Sequence, residues 1–258
     1  MINSFTTAIV RLPSPEMVNG LTSANLGRPD YTLALIQHQR YISALETCGL
    51  TVKVLEANNR YPDSVFIEDV ALCTPACAVI TNPGAASRKG ETEGMKVVLS
   101  AYYQNIEHIQ NPGTLEAGDV MMVGSHYYIG LSDRTNRQGA DQLIQILRRY
   151  GMSGSAVPLK DVLHLKTGVS YLENNSLLVS GEFIDLPEFK KFKRIVVPAN
   201  EAYAANSLWI NGTVLVPEGF PETRANIETA GYTVLEVDLS EFRKLDGGLS
   251  CLSLRLPV

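Results

Sequence analysis

The chain has 258 residues, 45% hydrophobic and 19% charged, with a formal net charge of −5; it is long enough to bury a large core as a single domain spanning residues 1–258. The acidic balance argues against a nucleic-acid binder, which usually carries a basic patch or stripe, and no apolar run reaches the length of a membrane span. No secretory signal opens the chain, and four cysteines do not make a disulfide scaffold in so long a sequence, so it reads as a cytoplasmic protein with reduced thiols. Cys73 and Cys77 have a spacing that could suit two metal ligands, but no second Cys/His pair follows, so no metal is expected.

In chain order, residues 8–12 read as a strand and residues 29–45 as a helix with Tyr31, Leu35, Ile42 and Leu45 on one face. Strand-like runs at 65–67, 70–73 and 77–81 lead to a helix from about 90 to 104. Its Met95, Val98, Leu99 and Tyr102 follow helical spacing. Residues 119–123 and 126–130 form a hairpin around Gly124-Ser125, followed by a helix carrying Ala140, Leu143, Ile144 and Leu147. Residues 164–172 and 176–180 repeat the pattern, with a short helix from Pro187. Residues 207–210 and 213–216 flank Asn211-Gly212, a strong two-residue hairpin turn, and the next helix opens at Pro221, a favoured first-turn residue. The last run, 249–256, would pair near residues 8–12, so a fifth unit takes strands from both chain ends. Five units of two strands, a helix and a third strand recur roughly every 40 to 55 residues, within the period range of propellers. An irregular α/β sandwich is the plain alternative, but a ring closed through both termini would remove exposed sheet edges.

The chemistry-bearing residues are anomalies in this pattern. Glu68 and Asp69 lie inside an apolar strand, with Asp63 just before it, and alternation sends the pair to opposite faces unless a bulge intervenes. A buried carboxylate must be paired or hydrogen-bonded, so either one could simply cap a helix or meet an arginine. Glu116 and Asp119 flank Gly118 at a strand entrance. Taken singly, His164 between two leucines reads as a core histidine, and Arg88 and Arg134 as solvated residues near helix starts. Cys251, in the closing strand, reads alone as an inert buried cysteine. All of them, however, fall at equivalent places in successive units, so a ring would bring them to one central site. Cysteine and histidine there suit covalent chemistry, carboxylates bind a cation, and arginines bind a carboxylate. A zwitterionic amino acid with an extra cationic group is the matching ligand.

The segments Phe-Ile-Glu-Asp (66–69), Asn-Pro-Gly-Ala-Ala-Ser-Arg (82–88), Leu-Glu-Ala-Gly-Asp (115–119), Ser-Asp-Arg-Thr-Asn (132–136), His-Leu-Lys-Thr (164–167) and Asp-Gly-Gly-Leu-Ser-Cys (246–251) resemble, in order and over essentially the whole chain, the dimethylarginine dimethylaminohydrolases. These belong to the guanidino-group-modifying enzymes. The resemblance implies a pentein-like, five-bladed α/β propeller of ββαβ units with a central active site. It implies hydrolysis of Nω-methylated L-arginines to L-citrulline and a methylamine, without metal or cofactor. By motif match Cys251 is the nucleophile, His164 the general acid/base and Glu116 its orienting partner. Glu68 and Asp69 match the contacts to the guanidinium end, Asp63 and the Leu21 backbone those to the amino group, and Arg88 and Arg134 the clamp on the α-carboxylate. The expected partner is the small-molecule substrate, with a homodimer left open and no nucleic acid or membrane. An arginine deiminase acting on unmodified arginine is the nearest rival, although the chain is short for that relative. A non-catalytic amino-acid-binding protein is disfavoured by the presence of both Cys251 and His164.

Overall fold

In the computed structural model, which describes residues 4–258, fifteen short strands form five three-stranded sheets. The first unit starts with β1 (Phe5–Arg11), α1 (Tyr31–Thr47) and β2 (Thr51–Leu55). The second is β3 (Ala71–Cys73), β4 (Ala78–Ile80), α2 (Met95–Leu99) and β5 (Ile106–His108). The third is β6 (Val120–Val123), β7 (His126–Leu131), α3 (Arg137–Arg149) and β8 (Ser153–Pro158). In the fourth, α4 (Leu165–Gly168) leads into β9 (Val169–Tyr171), β10 (Ser176–Val179) and β11 (Lys193–Val196), and the crossover consists of 3₁₀ turns. The fifth is β12 (Leu208–Ile210), β13 (Thr213–Pro217), α5 (Pro221–Thr229) and β14 (Thr233–Val237). After α6 (Ser240–Arg243), β15 (Leu254–Pro257) returns to β1, with Leu254 opposite Ile9 and Arg255 opposite Ala8.

Every sheet has the same logic. An inner strand pairs antiparallel with a middle strand, which pairs parallel with an outer strand. Parallel pairing needs a crossover, and that places a helix or turn outside each blade. The result is the five-bladed α/β propeller. Period-2 alternation along the middle strands explains why they read as continuous apolar runs. In β7, Tyr127 and Ile129 enter the core shared with the second blade, whereas Tyr128 enters the core shared with the fourth. In β1, Ala8 and Val10 face one neighbour and Ile9 the other. Asn211 and Gly212 take φ of 48° and 98°, the paired left-handed turn their sequence demands. The Asn211 amide then locks the seam, accepting from the Phe5 N–H at 2.9 Å and donating to the Phe5 and Cys48 carbonyls at 2.8 and 3.0 Å. Among the described residues, no helix is long and apolar enough to cross a membrane.

Five local expectations are corrected. Glu68 and Asp69 do not sit in a strand: a 3₁₀ turn (Ile67–Val70) precedes β3 and turns both carboxylates inward. His164 is not in a strand but caps α4, its N–H donating to Thr167 Oγ1 at 3.3 Å. Cys251 lies on the 3₁₀ turn Ser250–Leu252, ahead of the closing strand. The helix expected over 90–104 shrinks to α2, because Gly94 is left-handed (φ 78°) and residues 86–92 form a 3₁₀ segment. In α1 the buried face is Ala34, His38, Tyr41, Ile42 and Leu45, and Leu35 points outward; the Asp30 carboxylate caps Leu33 N–H at 3.0 Å and starts the helix there.

The first three corrections share one cause. Each inner strand is entered through a short turn: Ile67–Val70, Ala117–Asp119, α4, Ala199–Ala205 and Ser250–Leu252. A turn escapes the strict two-residue alternation of an extended strand, so its side chains are aimed individually: Asp69 lines one cavity and Glu68 another. These turns all sit at the same end of the ring; Glu68, Asp69, Glu116, Asp119, His164 and Cys251 lie on them or immediately before them, whereas Asp63, Arg88 and Arg134 come from neighbouring segments.

Candidate active site

At this end of the ring lies a pocket of about 380 Å³, lined from the Ile67–Val70 and Ser250–Leu252 turns and from segments next to the others. All the sequence-predicted residues except Glu68 line it: Leu21, Asp63, Asp69, Arg88, Glu116, Arg134, His164 and Cys251.

Cys251 is buried, with its Sγ accepting from the Gly248 N–H at 3.5 Å. Burial and the nearby Asp69 and Glu68 carboxylates push the thiol up to about 12, against the pull of that N–H and of Lys166. The unliganded site therefore holds a protonated thiol. Its turn is fixed by Asn206, whose Oδ1 accepts from Ser250 N–H at 3.0 Å and whose Nδ2 donates to Ser250 Oγ at 3.2 Å. Gly248 is needed beside it, because a Cβ there would lie 2.5 Å from Asn206 Cγ.

His164 Nε2 lies 2.9 Å from Glu116 Oε2 and 4.0 Å from Asp69 Oδ1. Burial alone would discharge this ring, but Asp69, Asp119 and Glu116 overcome it and push its pKa up to about 9. Asp119 positions the ring through the backbone: its Oδ1 accepts from Leu165 N–H at 2.9 Å and its Oδ2 from Ser132 Oγ at 2.7 Å. Asp69 Oδ1 accepts from Gly118 N–H at 2.9 Å. Its carboxyl is lowered from the ordinary value despite burial, held down by His164 and Arg88. Ligand atoms of Asp69, Glu116 and His164 lie within 4.8 Å of one another; with the ring protonated, the two carboxylates are the groups that would face a cationic ligand group.

Arg88 is not solvated. Its Nη1 donates to Asp69 Oδ2 at 2.6 Å, its Nε and Nη2 to Glu91 at 2.7–3.1 Å, and its Nη2 also to the Phe66 carbonyl at 3.0 Å. Burial opposes its charge, yet these carboxylates raise its pKa well above the ordinary arginine value. Arg134 is half-buried at the pocket wall. Asp63 Oδ1 accepts from the Leu21 N–H at 2.9 Å. The segment that follows is tied over the loop leading to Cys251: Thr22 Oγ1 donates to the Lys244 carbonyl at 2.8 Å, and the Ser23 N–H to Asp246 Oδ2 at 2.5 Å.

Glu68 is the exception. Its Oε1 binds Lys166 Nζ at 2.6 Å and also Arg255 Nη2, and among the described residues its Oε2 has no partner. It lines a second, larger cavity, about 820 Å³ with its open part, bounded by the inner strands of all five blades. That cavity is the propeller's central channel, and the Glu68 cluster lies between it and the pocket.

Residues 29–184 match a family model described as "N,N dimethylarginine dimethylhydrolase, eukaryotic". The N(G),N(G)-dimethylarginine dimethylaminohydrolase of Pseudomonas aeruginosa is 54% identical over 252 residues, covering 97% of this chain and 99% of that one. The chain belongs to the dimethylarginine dimethylaminohydrolase family. A Streptomyces coelicolor member is 34% identical, with 96% of each chain covered. The solved Pseudomonas aeruginosa dimethylarginine dimethylaminohydrolase, as a cysteine-to-serine mutant complexed with citrulline, superposes with a TM-score of 0.97 over 98% of this chain and 100% of that one. The N-terminal domain of a cyanobacterial arginine dihydrolase has the same fold at 20% identity (TM-score 0.85, 97% of each chain).

In this dimethylarginine dimethylaminohydrolase-family chain, sequence reasoning missed Glu91, Asn206, Lys166 and Arg255. Glu91 offered a faint signal, standing three residues after Arg88, as i,i+3 pairs do on a helical turn. Lys166, two residues after His164 on α4, stood out by no signal of its own, and Asn206 and Arg255 reach the site only through the closure of the ring.

Proposed function

We propose that this protein hydrolyses Nω,Nω-dimethyl-L-arginine and Nω-monomethyl-L-arginine to L-citrulline and dimethylamine or methylamine, with Cys251 as nucleophile and His164 as general acid/base. The observation that carries this reading is the convergence of a buried thiol, a carboxylate-held imidazolium and Asp69 in one pocket. The complex of the Pseudomonas aeruginosa relative with citrulline supports it.

In the proposed cycle the substrate's guanidinium lies against Asp69 and Glu116, which orient a carbon that resonance makes a poor electrophile. Arg134 and the remaining Nη1 hydrogen of Arg88 take the α-carboxylate. Asp63 and the Leu21 carbonyl take the amino group. Glu68 acts from behind, with Lys166. A unit charge about 4 Å away at an effective dielectric near 20 is worth about 4 kcal/mol, or roughly 3 pH units. The substrate cation thus brings the thiol from about 12 into a range where it ionises. With the thiol proton released to solvent as substrate binds, the Cys251 thiolate Sγ bonds to the central guanidinium carbon, and a proton is regained when the thiolate leaves at the end of the cycle. His164, still an imidazolium at neutral pH, protonates the departing dimethylamine as the C–N bond breaks. The S-alkylthiouronium on Cys251 is next attacked by water, from which neutral His164 takes a proton, and the C–S bond breaks to release citrulline. Nucleophile and proton carrier both come from the chain.

Incubation with dimethylarginine or with arginine, followed by measurement of citrulline and dimethylamine, tests the reading. Citrulline from neither substrate rejects an enzyme, and citrulline from arginine alone supports a deiminase. The described cysteines are all free and buried, which supports a cytoplasmic setting. The exposed Leu33 and Ile36 of α1 favour pairing of two copies, which light scattering would detect.

A further inference from the structure

The turn that carries Cys251 is held on its channel side by a residue with no contact to the substrate pocket. Arg255 Nη1 donates to the Ser250 carbonyl at 2.9 Å, to the Ser253 carbonyl at 2.7 Å and to Ser253 Oγ at 2.9 Å. Its Nη2 binds Glu68 Oε1. Ser253 Oγ lies 2.7 Å from the Tyr41 hydroxyl, which donates to the Leu249 carbonyl at 2.9 Å. One relay therefore runs from Arg255 through Ser253 and Tyr41 and returns to the residue two before the thiol. Linked hydrogen bonds of this kind stiffen one another in a low-dielectric interior.

We propose that Arg255 is a positioning residue for the reaction: its guanidinium, lying in the channel behind the site, spans Glu68 and the Ser250 and Ser253 carbonyls and fixes the nucleophile-bearing turn against the turn that presents Asp69. The inference rests on Cys251 being the nucleophile. Four features support it. The fork geometry of arginine matches two carbonyls and a carboxylate at once, which a lysine point charge does not. Glu68 adjoins Asp69, and Asp69 meets Arg88 and the Gly118 N–H, so Arg255 is the link from the thiol's turn to the guanidinium-facing carboxylate. Arg255 lines the channel cavity and not the pocket, so its effect falls on the geometry of attack and not on substrate binding. Its charge, close to both Glu68 and Cys251, also favours the thiolate.

The test compares wild type, C251S, R255Q and R255K for kcat and KM with dimethylarginine, for melting temperature, and for the pH dependence of thiol alkylation by iodoacetamide. A misplaced nucleophile costs on the order of 100-fold in rate. R255Q should lose about that much in kcat with KM within about threefold of wild type, and its alkylation midpoint should move to higher pH. R255K, which keeps the charge on Glu68 and loses the fork, should recover the midpoint but only part of kcat. If R255Q does not fold, R255K decides: a folded R255K with reduced kcat and unchanged KM supports the inference, and one with full kcat overturns it. Failure of both to fold marks Arg255 as purely structural and also overturns it. A folded, fully active R255Q beside an inactive C251S removes the role of Arg255 alone, whereas an active C251S removes the functional reading itself.

Discussion

Replacing Glu116 by Gln probes the proton economy of the site while keeping the side chain's shape. It removes a negative charge 2.9 Å from His164 Nε2. Burial lowers the pKa of His164, and Asp69, Asp119 and Glu116 together raise it to about 9. A hydrogen bond to a charged group is worth about 1.5–3 kcal/mol, and about 1.4 kcal/mol equals one pH unit, so the E116Q ring should titrate about 1 to 2 units lower. The other two carboxylates keep it above the ordinary histidine value. The assay is a proton NMR titration of His164 in a C251S background, matched with the alkaline limb of kcat in enzymes that retain Cys251. A stability signature accompanies it. Because the folded pKa is raised, the imidazolium's stabilisation is fully present below about 6.5 and disappears as pH rises through about 9. At about 1.4 kcal/mol per unit this amounts to roughly 3 kcal/mol of unfolding free energy. E116Q should lose its share at lower pH. An unmoved midpoint in E116Q, or a wild-type ring titrating near 6.5, would refute the reasoning.

C251S should fold normally and lose about 10⁴- to 10⁶-fold in turnover; measurable activity beyond that floor removes Cys251 as nucleophile. Thiolate absorbance against pH should show Cys251 ionising near 12 in the free enzyme and several units lower with a non-reactive cationic analogue bound. Equal midpoints would exclude activation by the substrate. G118A places a Cβ 2.7 Å from Asp69 Oδ1 and 3.0 Å from the His164 ring, so kcat should fall on the order of 100-fold. Near-wild-type kcat would show that the Asp69–His164 geometry is not critical.

Much of the ring was readable because its signals are local. Asn211-Gly212 dictates its own turn, and the continuous apolar runs of β6, β7 and β13 need no tertiary information. The pairing of the chain ends followed from counting units. The turns that build the site were misread as strands for a physical reason: Ile67–Val70 and Ser250–Leu252 are three or four residues long, too short to show a helical period, and each abuts a true strand. The charge network was also illegible. Nothing in Ser87-Arg88-Lys89 distinguishes a solvated arginine from one enclosed by Asp69 and Glu91. Tyr41, Asn206 and Arg255 gain their roles only when ring closure brings them to the Cys251 turn. The candidate residues other than Glu68 line one pocket because equivalent positions in successive units converge, although several of them lie on turns and not in the strands their sequence suggests.

The most direct test of the central claim is to quench the enzyme in acid while it turns over saturating dimethylarginine and to locate the covalent adduct by peptide mass spectrometry. An S-alkylthiouronium that has lost dimethylamine should be found on the peptide containing Cys251. Citrulline production with no adduct, or with one on Cys48, Cys73 or Cys77, would contradict the account.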